Sequence, residues 1–493
     1  MLLSAWSVDA KWFVIVQVIY LLLLVFTCMR IIYDTRSVSK TLAYLLFAVF
    51  VPVFGILFYF YFGINYRKRK LYNRKLIVDE AVKTDFRHFL QEAERCLSAS
   101  DRQVLQQYKG LIHLLSDKKT GSNHVLPNEE IRLLVNGEEL FPLLIEELKK
   151  ARSHIHMEYY IYEDDHIGRE IRDILVQKAA EGVEVRFLYD DFGSRSIRRT
   201  IVRSLHEAGI QAHPFNRIRL IRFANRLNYR NHRKIVVIDG HTSFTGGINV
   251  SDRYINGPGT DLYWRDTHIM IRGLSSLALQ QVFVSDWNFC CKENLVIDRR
   301  YFPYAGMPEK ASAHAQIVSG GPDSDLPNIL YSILQSINLA RKEILLTTPY
   351  YIPDSSLQES LVLAALSGIE VKLLVPASSD SALVDIASRA YFDSLLRAGV
   401  KIYQYRKGLI HAKSYVVDRT LASVGTANLD VRSFDLNFEV SALIYDEEIA
   451  AQLADIFFKD LEEAEELTLA RQKRRSRWRK LMERIVRLIS PFM

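Results

Sequence analysis

The sequence predicts an α/β protein of two similar sandwich domains about a pseudo-twofold, preceded by an N-terminal transmembrane helical hairpin. Two apolar runs fall within the first 63 residues, and a strand–helix–strand pattern then occurs twice. Each occurrence leads into the same short array of His, Lys, Asp, Gly and Asn. With 493 residues, 49% of them hydrophobic, the chain has material for about three folded units.

The first run, 12–29, is apolar except for Gln17 and Thr27, and the second, 41–63, carries no charge. Each is long enough to cross a hydrocarbon core about 30 Å thick as a helix. A cleaved signal peptide is a poorer account of the first run: only Lys11 stands against Asp9 before it, and no clear small-residue cleavage site is present. Pro52 and Gly55 are expected to kink the second run, which membranes tolerate. Arg30, Arg36 and Lys40 lie between the runs, whereas Arg67, Lys68, Arg69, Lys70, Arg74 and Lys75 follow the second. The larger basic charge on the side shared by both ends of a hairpin predicts that the bulk of the chain is cytoplasmic. Residues 1–65 therefore read as the hairpin and 66–125 as a basic flank with a helical connector.

The remainder repeats itself. Residues 151–185 (ARSHIHMEYYIY…EGVEV) match 340–371 (ARKEILLTTPYYIP…SGIEV), each a strand, a helix and a second strand entered through Gly182 or Gly368. NHRKIVVIDGHTSFTGGIN at 231–249 matches IHAKSYVVDRTLASVGTAN at 410–428. The offset shrinks from 189 at Ala151/Ala340 through 186 at Gly182/Gly368 to 179 at His232/His411, so loops are shorter in the second copy. Alternating strands and helices imply a sheet flanked by helices in each copy. The copies occupy 126–310 and 311–470, and a twofold between them would bring equivalent residues together.

Each copy contains His-x-Lys-x4-Asp: His232, Lys234 and Asp239, then His411, Lys413 and Asp418. The β-branched residues that follow each Lys predict a strand with His and Lys on one face. Asp239 and Asp418 fall at its end and read as supports for local loops. Gly246-Gly247-Ile248-Asn249 and Gly425-Thr426-Ala427-Asn428 come next, with glycines expected to let the backbone approach a ligand. Two imidazoles, two ammonium groups and the carboxamides of Asn249 and Asn428 make a site for a phosphate. Lysines and asparagines hold its oxygens while one His attacks phosphorus and the other protonates the leaving alkoxide. Asp266 and Glu439 are candidates to fix the imidazole tautomers. By spacing alone the two histidines are interchangeable, and no metal-ligand cluster is needed.

The paired HxKx4D…GxxN motifs resemble the phospholipase D superfamily. Together with the N-terminal apolar runs, NYRNHRKIVVIDG, GGINVSD and LYWRDTH resemble the bacterial cardiolipin synthases within it. The resemblance covers nearly the whole chain and implies two phospholipase D-like domains in a multi-pass protein of the bacterial inner membrane. It implies transfer of a phosphatidyl group from one phosphatidylglycerol to another, releasing glycerol, through a phosphohistidine and without a cofactor. His232 would then be the nucleophile and His411 the general acid and base, with Lys234, Lys413, Asn249 and Asn428 on the phosphate. Hydrolysis to phosphatidic acid is the alternative, since only the acceptor differs.

Charge distribution narrows the partners. The net +7 arises from 67–75 and from 471–493, where nine basic residues face Glu483 alone; without these segments 49 basic and 56 acidic residues remain. A nucleic-acid binder carries its positive charge over the domain body, so phosphatidylglycerol and other anionic membrane lipids are the expected partners and nucleic acid is not. Residues 195–234 hold eleven basic residues, among them Arg219, Arg222 and Arg226 at helical spacing, placed to attract anionic lipid. At the C-terminus Trp478, Leu481, Met482, Ile485, Leu488 and Ile489 recur at helical spacing among basic residues, the pattern of an interfacial amphipathic helix. Tyr159, Tyr160, Tyr350 and Tyr351 end a strand in each copy and are candidates to line acyl-chain access. Four cysteines, with Cys290 and Cys291 adjacent, form no disulfide framework.

Overall fold

The computed structural model describes residues 2–35, 38–51, 53–60, 77–78, 103–215, 229–257, 262–291, 294–303 and 311–489. The basic flank at 67–75, the Arg219–Arg222–Arg226 segment, Pro52 and Cys96 lie outside the described residues. Two compact units are present, one within Met1–Lys70 and a large one within Leu71–Arg217 and Arg230–Pro491.

In the N-terminal unit, α1 (Leu2–Asp34) runs past the apolar stretch at both ends and takes in Arg30 and Asp34, which pair at 2.8 Å within its last turns. Its Trp12–Asp34 portion is 23 residues long and, among the described residues, the one helix long and apolar enough to cross a membrane. The second apolar run behaves differently. It forms α2 (Val38–Phe50) and then a short α3 (Phe54–Phe58), not one continuous span. At 1.5 Å per residue the 13 residues of α2 reach about 20 Å, short of the hydrocarbon core. Between the helices Val53 has φ 62°, a left-handed conformation that a β-branched residue seldom adopts. Gly55 lies so close to the Phe47 carbonyl that a Cβ would not fit, and that is how α3 folds back on α2. Ile31, Tyr44, Ala48 and Tyr59 bury one another.

The large unit is organised by strands in chain order. The first half supplies β1 (Val125–Val135), β2 (His154–Tyr159), β3 (Glu184–Asp190), β4 (Gln211–Phe215), β5 (Ile235–Ile238), β6 (Thr242–Gly246), β7 (Tyr263–Arg265) and β8 (Thr267–Gly273). The second half supplies β9 (Ala313–Gly320), β10 (Glu343–Thr347), β11 (Tyr351–Ile352), β12 (Glu370–Pro376), β13 (Lys401–Tyr405), β14 (Gly408–Ile410), β15 (Ser414–Val417), β16 (Leu421–Gly425), β17 (Leu429–Asp430), β18 (Glu439–Tyr445) and β19 (Ala464–Glu466). Fifteen of these form one sheet in the order β19-β13-β12-β10-β15-β16-β18-β9-β1-β8-β6-β5-β2-β3-β4. Read outward from the β9–β1 seam, the order in one half repeats that in the other, so the pseudo-twofold passes through the seam. There β9 and β1 run antiparallel, with Ala313 opposite Asn128 and Gln316 opposite Val125. The two domains therefore share a continuous sheet as well as facing layers.

Alternation along the strands sorts side chains between cores. In β5, Val236 and Ile238 join an outer core under α4 (Asn136–Lys150) and α5 (His166–Ala180), with Leu144, Ile171 and Leu175. Ile235 and Val237 point the other way, into a core shared with Val416, Val424 and Val440 of the second half. This shared inner core packs the halves face to face, closed in part by α6 (Ser275–Cys290) and α10 (Glu447–Glu462). The second half has its own outer core under α7 (Asn328–Leu339) and α8 (Ser355–Leu366). Part of the connector belongs there too. Helix Lys109–Ser116 buries Leu111 and Leu115 in that core, and the Tyr108 hydroxyl lies 2.9 Å from that of Thr420. Helix α9 (Ala382–Ala398) lies beside α8, and the C-terminal α11 (Arg477–Ile489) packs on α9.

Candidate active site

His232 and Lys234 sit not in a strand but in the extended segment just before β5, and His411 and Lys413 occupy the same place before β15. What fixes these lead-in segments is pairing with the opposite half. The His232 N–H donates to the Phe438 carbonyl at 3.0 Å, and the Phe438 N–H to the Arg230 carbonyl at 2.8 Å. In the other half β14 pairs parallel with β7, Ile410 opposite Arg265, and the His411 N–H donates to the Arg265 carbonyl at 2.7 Å. Phe438 precedes Glu439 and Arg265 precedes Asp266. The backbone thus delivers the carboxylate of each half to the histidine of the other.

His232 Nδ1 lies 3.1 Å from Glu439 Oε2, and His411 Nδ1 lies 2.7 Å from Asp266 Oδ2. With Nδ1 committed to a carboxylate, Nε2 of each ring is the atom left to react. Glu439 is itself held by the Thr426 hydroxyl, whose backbone carbonyl also faces His232 Nδ1 at 3.1 Å. The Lys234 ammonium donates to the His232 carbonyl at 2.8 Å, while the Lys413 ammonium donates to the His411 carbonyl and lies against the His411 ring, 2.8 Å from Nδ1 and 3.1 Å from Nε2.

Burial and crowding set the charges. Both histidines are held below their ordinary value, first by burial and then by the lysines; for His411 the result is about 4. Burial, with further depression from Lys413, brings Lys234 from 10.5 down to about 7, and burial brings Lys413 to about 8. Burial pushes Asp266 and Glu439 upward, but the lysines and histidines around them outweigh it and both end below the usual carboxylate range. Two crowded ammonium groups with depressed basicity are what an anion would relieve.

Asp239 and Asp418 serve their own loops. Asp239 accepts the N–H groups of Arg152, Ser153 and His154 at 2.7–2.9 Å, and Asp418 those of Arg341, Lys342 and Glu343 at 2.7–3.0 Å. Both adopt positive φ, 54° and 52°, which a short polar side chain tolerates. Asn249 is partly committed, accepting from the Ile161 N–H at 3.1 Å and donating to the Tyr254 hydroxyl at 2.8 Å. Asn428 donates to Asp430 at 3.2 Å, and its buried side-chain oxygen has no protein partner. The glycines have a reason other than ligand approach: a Cβ on Gly246 would strike His268, one on Gly247 the Asp266 carboxylate, and one on Gly425 Ser441 and Val440.

The four tyrosines separate. Tyr159 and Tyr351 are buried in the outer cores, whereas the Tyr160 ring meets His232 edge-on at 4.8 Å and the Tyr350 hydroxyl donates to Asp380 at 2.6 Å. Several supporting residues were not found from sequence. Trp264 meets the His411 ring at 5.4 Å. Arg233, buried, bonds the carbonyls of Glu439 and Gly320 and the Asp286 carboxylate; Arg265 holds Asp460 at 2.8 Å. The available signal for Arg233 was its mismatch with Ala412 in the second copy. Among the described residues no group of three or more His, Cys, Asp and Glu is placed to hold a metal ion.

A family described as "Cardiolipin synthase, PLD-like domain" matches residues 144–263 and 333–461, the segments that carry both motifs. A second family, "Phospholipase_D-nuclease N-terminal", matches 20–63. The chain is 41% identical over 460 residues to "Cardiolipin synthase 2" of Bacillus anthracis, covering 93% of this chain and 88% of that protein. The chain belongs to the bacterial cardiolipin synthase family. Another relative, "Major cardiolipin synthase ClsA" of Bacillus subtilis (strain 168), is 39% identical over 486 residues, covering 97% of this chain and 99% of that protein. Among solved structures, the phosphatidylserine synthase of Haemophilus influenzae Rd KW20 superposes with TM-score 0.57 at 16% identity, covering 80% of this chain and all of that one, a likeness of fold.

Proposed function

We propose that this member of the cardiolipin synthase family transfers a phosphatidyl group between two phosphatidylglycerol molecules, using His232 as nucleophile and His411 as general acid and base. The observation that carries the chemistry is the crossed pair, two imidazoles each tied at Nδ1 to the carboxylate of the other half with two buried lysines beside them. His232 Nε2 attacks phosphorus, and the bond to the headgroup glycerol oxygen breaks as His411 Nε2 gives that oxygen its proton. The Glu439 carboxylate stabilises the cationic ring that forms. The proton on His411 Nε2 is favoured by Asp266 on Nδ1 and by the negative charge of the bound phosphodiester, which oppose the burial and the Lys413 charge that otherwise keep the ring neutral. The glycerol hydroxyl of a second phosphatidylglycerol then gives its proton to His411 and attacks phosphorus, and the N–P bond breaks. Lys234, Lys413 and Asn428 bear on the non-bridging oxygens; Asn249 has one N–H left for the same purpose.

α1 anchors the chain in the bacterial inner membrane, and the basic residues that follow its apolar part, Arg30, Arg36, Lys40 and the cluster at 67–75, against Lys11 alone before it, favour a cytoplasmic catalytic unit. Product analysis on the full chain reconstituted in phosphatidylglycerol bilayers with chelator present tests the reading. Cardiolipin and glycerol in equal amounts are expected. Phosphatidic acid with glycerol would make it a hydrolase instead.

A further inference from the structure

The C-terminal helix α11 is docked on the large unit by one edge and unpartnered on the next. Val486 is 5% exposed and packs with Ile352, Ala387 and Val384, while the neighbouring Glu483 is buried with its carboxylate on Arg475. Around the helix from this edge, Trp478, Leu481, Met482 and Ile485 are 73%, 44%, 48% and 45% exposed. They stand at i, i+3, i+4 and i+7, a single apolar stripe. The remaining positions are cationic: Arg477, Arg479 and Arg484 are exposed and Lys480 half-buried. Core helices hide such a stripe, so its exposure on a helix already fixed to the body requires a partner.

Where α11 docks matters as much as what it shows. Val384 lies one turn into α9, and Asp380, just before that helix, accepts from Tyr350 beside the site. Ile352 pairs in β11 with Asp430, which accepts from Asn428. Leu383, at the start of α9, is also exposed.

We propose that α11 is an interfacial helix that seats the second half's rim of the active site on an anionic lipid bilayer. The stripe enters the acyl-chain boundary and the arginines and Lys480 meet lipid phosphates. The one acid of the helix, Glu483, is buried, so the exposed cations flank the stripe without an acid among them, and an anionic lipid surface gains from each cation brought close while the stripe enters its apolar boundary. The first test does not depend on the phosphatidyltransferase reading. The full chain and its Trp478→Phe variant are placed in vesicles of phosphatidylcholine with and without phosphatidylglycerol, each with acyl chains brominated, and tryptophan emission is compared. Trp478 emission, taken as the difference, is expected to be quenched in the anionic vesicles and much less in neutral ones. Absence of quenching in anionic vesicles, whether the stripe faces water or a second copy, overturns the proposal. A second test rests on that reading: Leu481→Asp with Met482→Asp and Ile485→Asp is expected to lower turnover on bilayer phosphatidylglycerol about tenfold while leaving turnover of a short-chain, monomerically dispersed phosphatidylglycerol unchanged. Equal loss on both substrates would make α11 a structural support only.

Discussion

Replacing Glu439 by Gln keeps the shape of the side chain and removes its charge 3.1 Å from His232 Nδ1. The imidazole is neutral before attack, held there by burial. It carries a full positive charge once Nε2 is bonded to phosphorus, so the carboxylate contributes chiefly after the reaction has begun. Opposite charges about 4 Å apart at an effective dielectric of ~20 gain about 4 kcal/mol. That corresponds to roughly a 10³-fold change in rate. Reorientation of the Gln amide between the Thr426 hydroxyl and the ring recovers part of this, so a loss of about 10²–10³ in glycerol release is expected. Rapid-quench measurement of glycerol from headgroup-labelled phosphatidylglycerol, with the variant saturated, reads the step directly. A loss smaller than about tenfold would refute the argument that this carboxylate from the other half stabilises the attacking ring.

The partner substitution, Asp266→Asn, separates the roles of the rings. With an acidic nitrophenol leaving group no general acid is required, so this variant is expected to recover most of the wild-type first-step rate while Glu439→Gln does not; the opposite pattern would exchange nucleophile and acid. Lys234 and Lys413 titrate at about 7 and about 8 in the empty site against 10.5 in a free chain. Between those values and 10.5 the unfolded chain holds more protons, so the thermal midpoint of the substrate-free protein should rise from pH 7 to pH 9, while phosphodiester affinity falls as the lysines lose charge. Removing the buried charge with Lys234→Met should raise the midpoint at pH 7 and abolish transfer. Asp239→Ala deletes the acceptor of three N–H groups and is expected to cost about 2–3 kcal/mol in denaturant unfolding. Gly247→Ala drives a methyl group into the Asp266 carboxylate, so turnover should collapse in a protein whose far-ultraviolet circular dichroism is unchanged.

The duplicated fold and the two motifs were legible because each leaves a local trace: β-branched strands, helices of regular period and a spacing shared by both copies. What joins the copies left none. The β9–β1 seam depends on which edges are free once each half has formed, and the pairing of Ile410 with Arg265 brings together residues 145 apart in sequence. Asp266 and Glu439 were recognisable as ring-orienting carboxylates, but spacing carries no information about which ring each serves. The glycines were legible only in part, for a related reason. A missing side chain signals close approach without naming what approaches, and here the neighbours are Asp266, His268 and Ser441. The second apolar run reads as one span by hydropathy, yet its break falls between Phe50 and Phe54, in the stretch where Pro52 and Gly55 signalled a kink; what composition does not register is the left-handed Val53 that turns the kink into a break.

The halves have diverged in a paired fashion that follows from their exchange of carboxylates. Gly247 corresponds to Thr426, and Asp266 to Glu439. Where the carboxylate is the shorter one, the loop beside it has given up its Cβ so that Asp266 comes close enough to reach His411; where it is the longer one, a threonine fills the gap and steadies it by a hydrogen bond. The arginines are exchanged likewise. Arg233 beside His232 shares its crossing with Phe438, and Arg265 beside Asp266 shares its crossing with the segment of Ala412, so each crossing has one buried guanidinium, anchored on Asp286 in one case and Asp460 in the other. A buried arginine contributed by both sides of one crossing would bring two cations together in low dielectric, and contributed by neither would leave a buried carboxylate unpaired, each costly. The two half-sites therefore constrain one another, and neither motif is chemically complete without the other half of the chain.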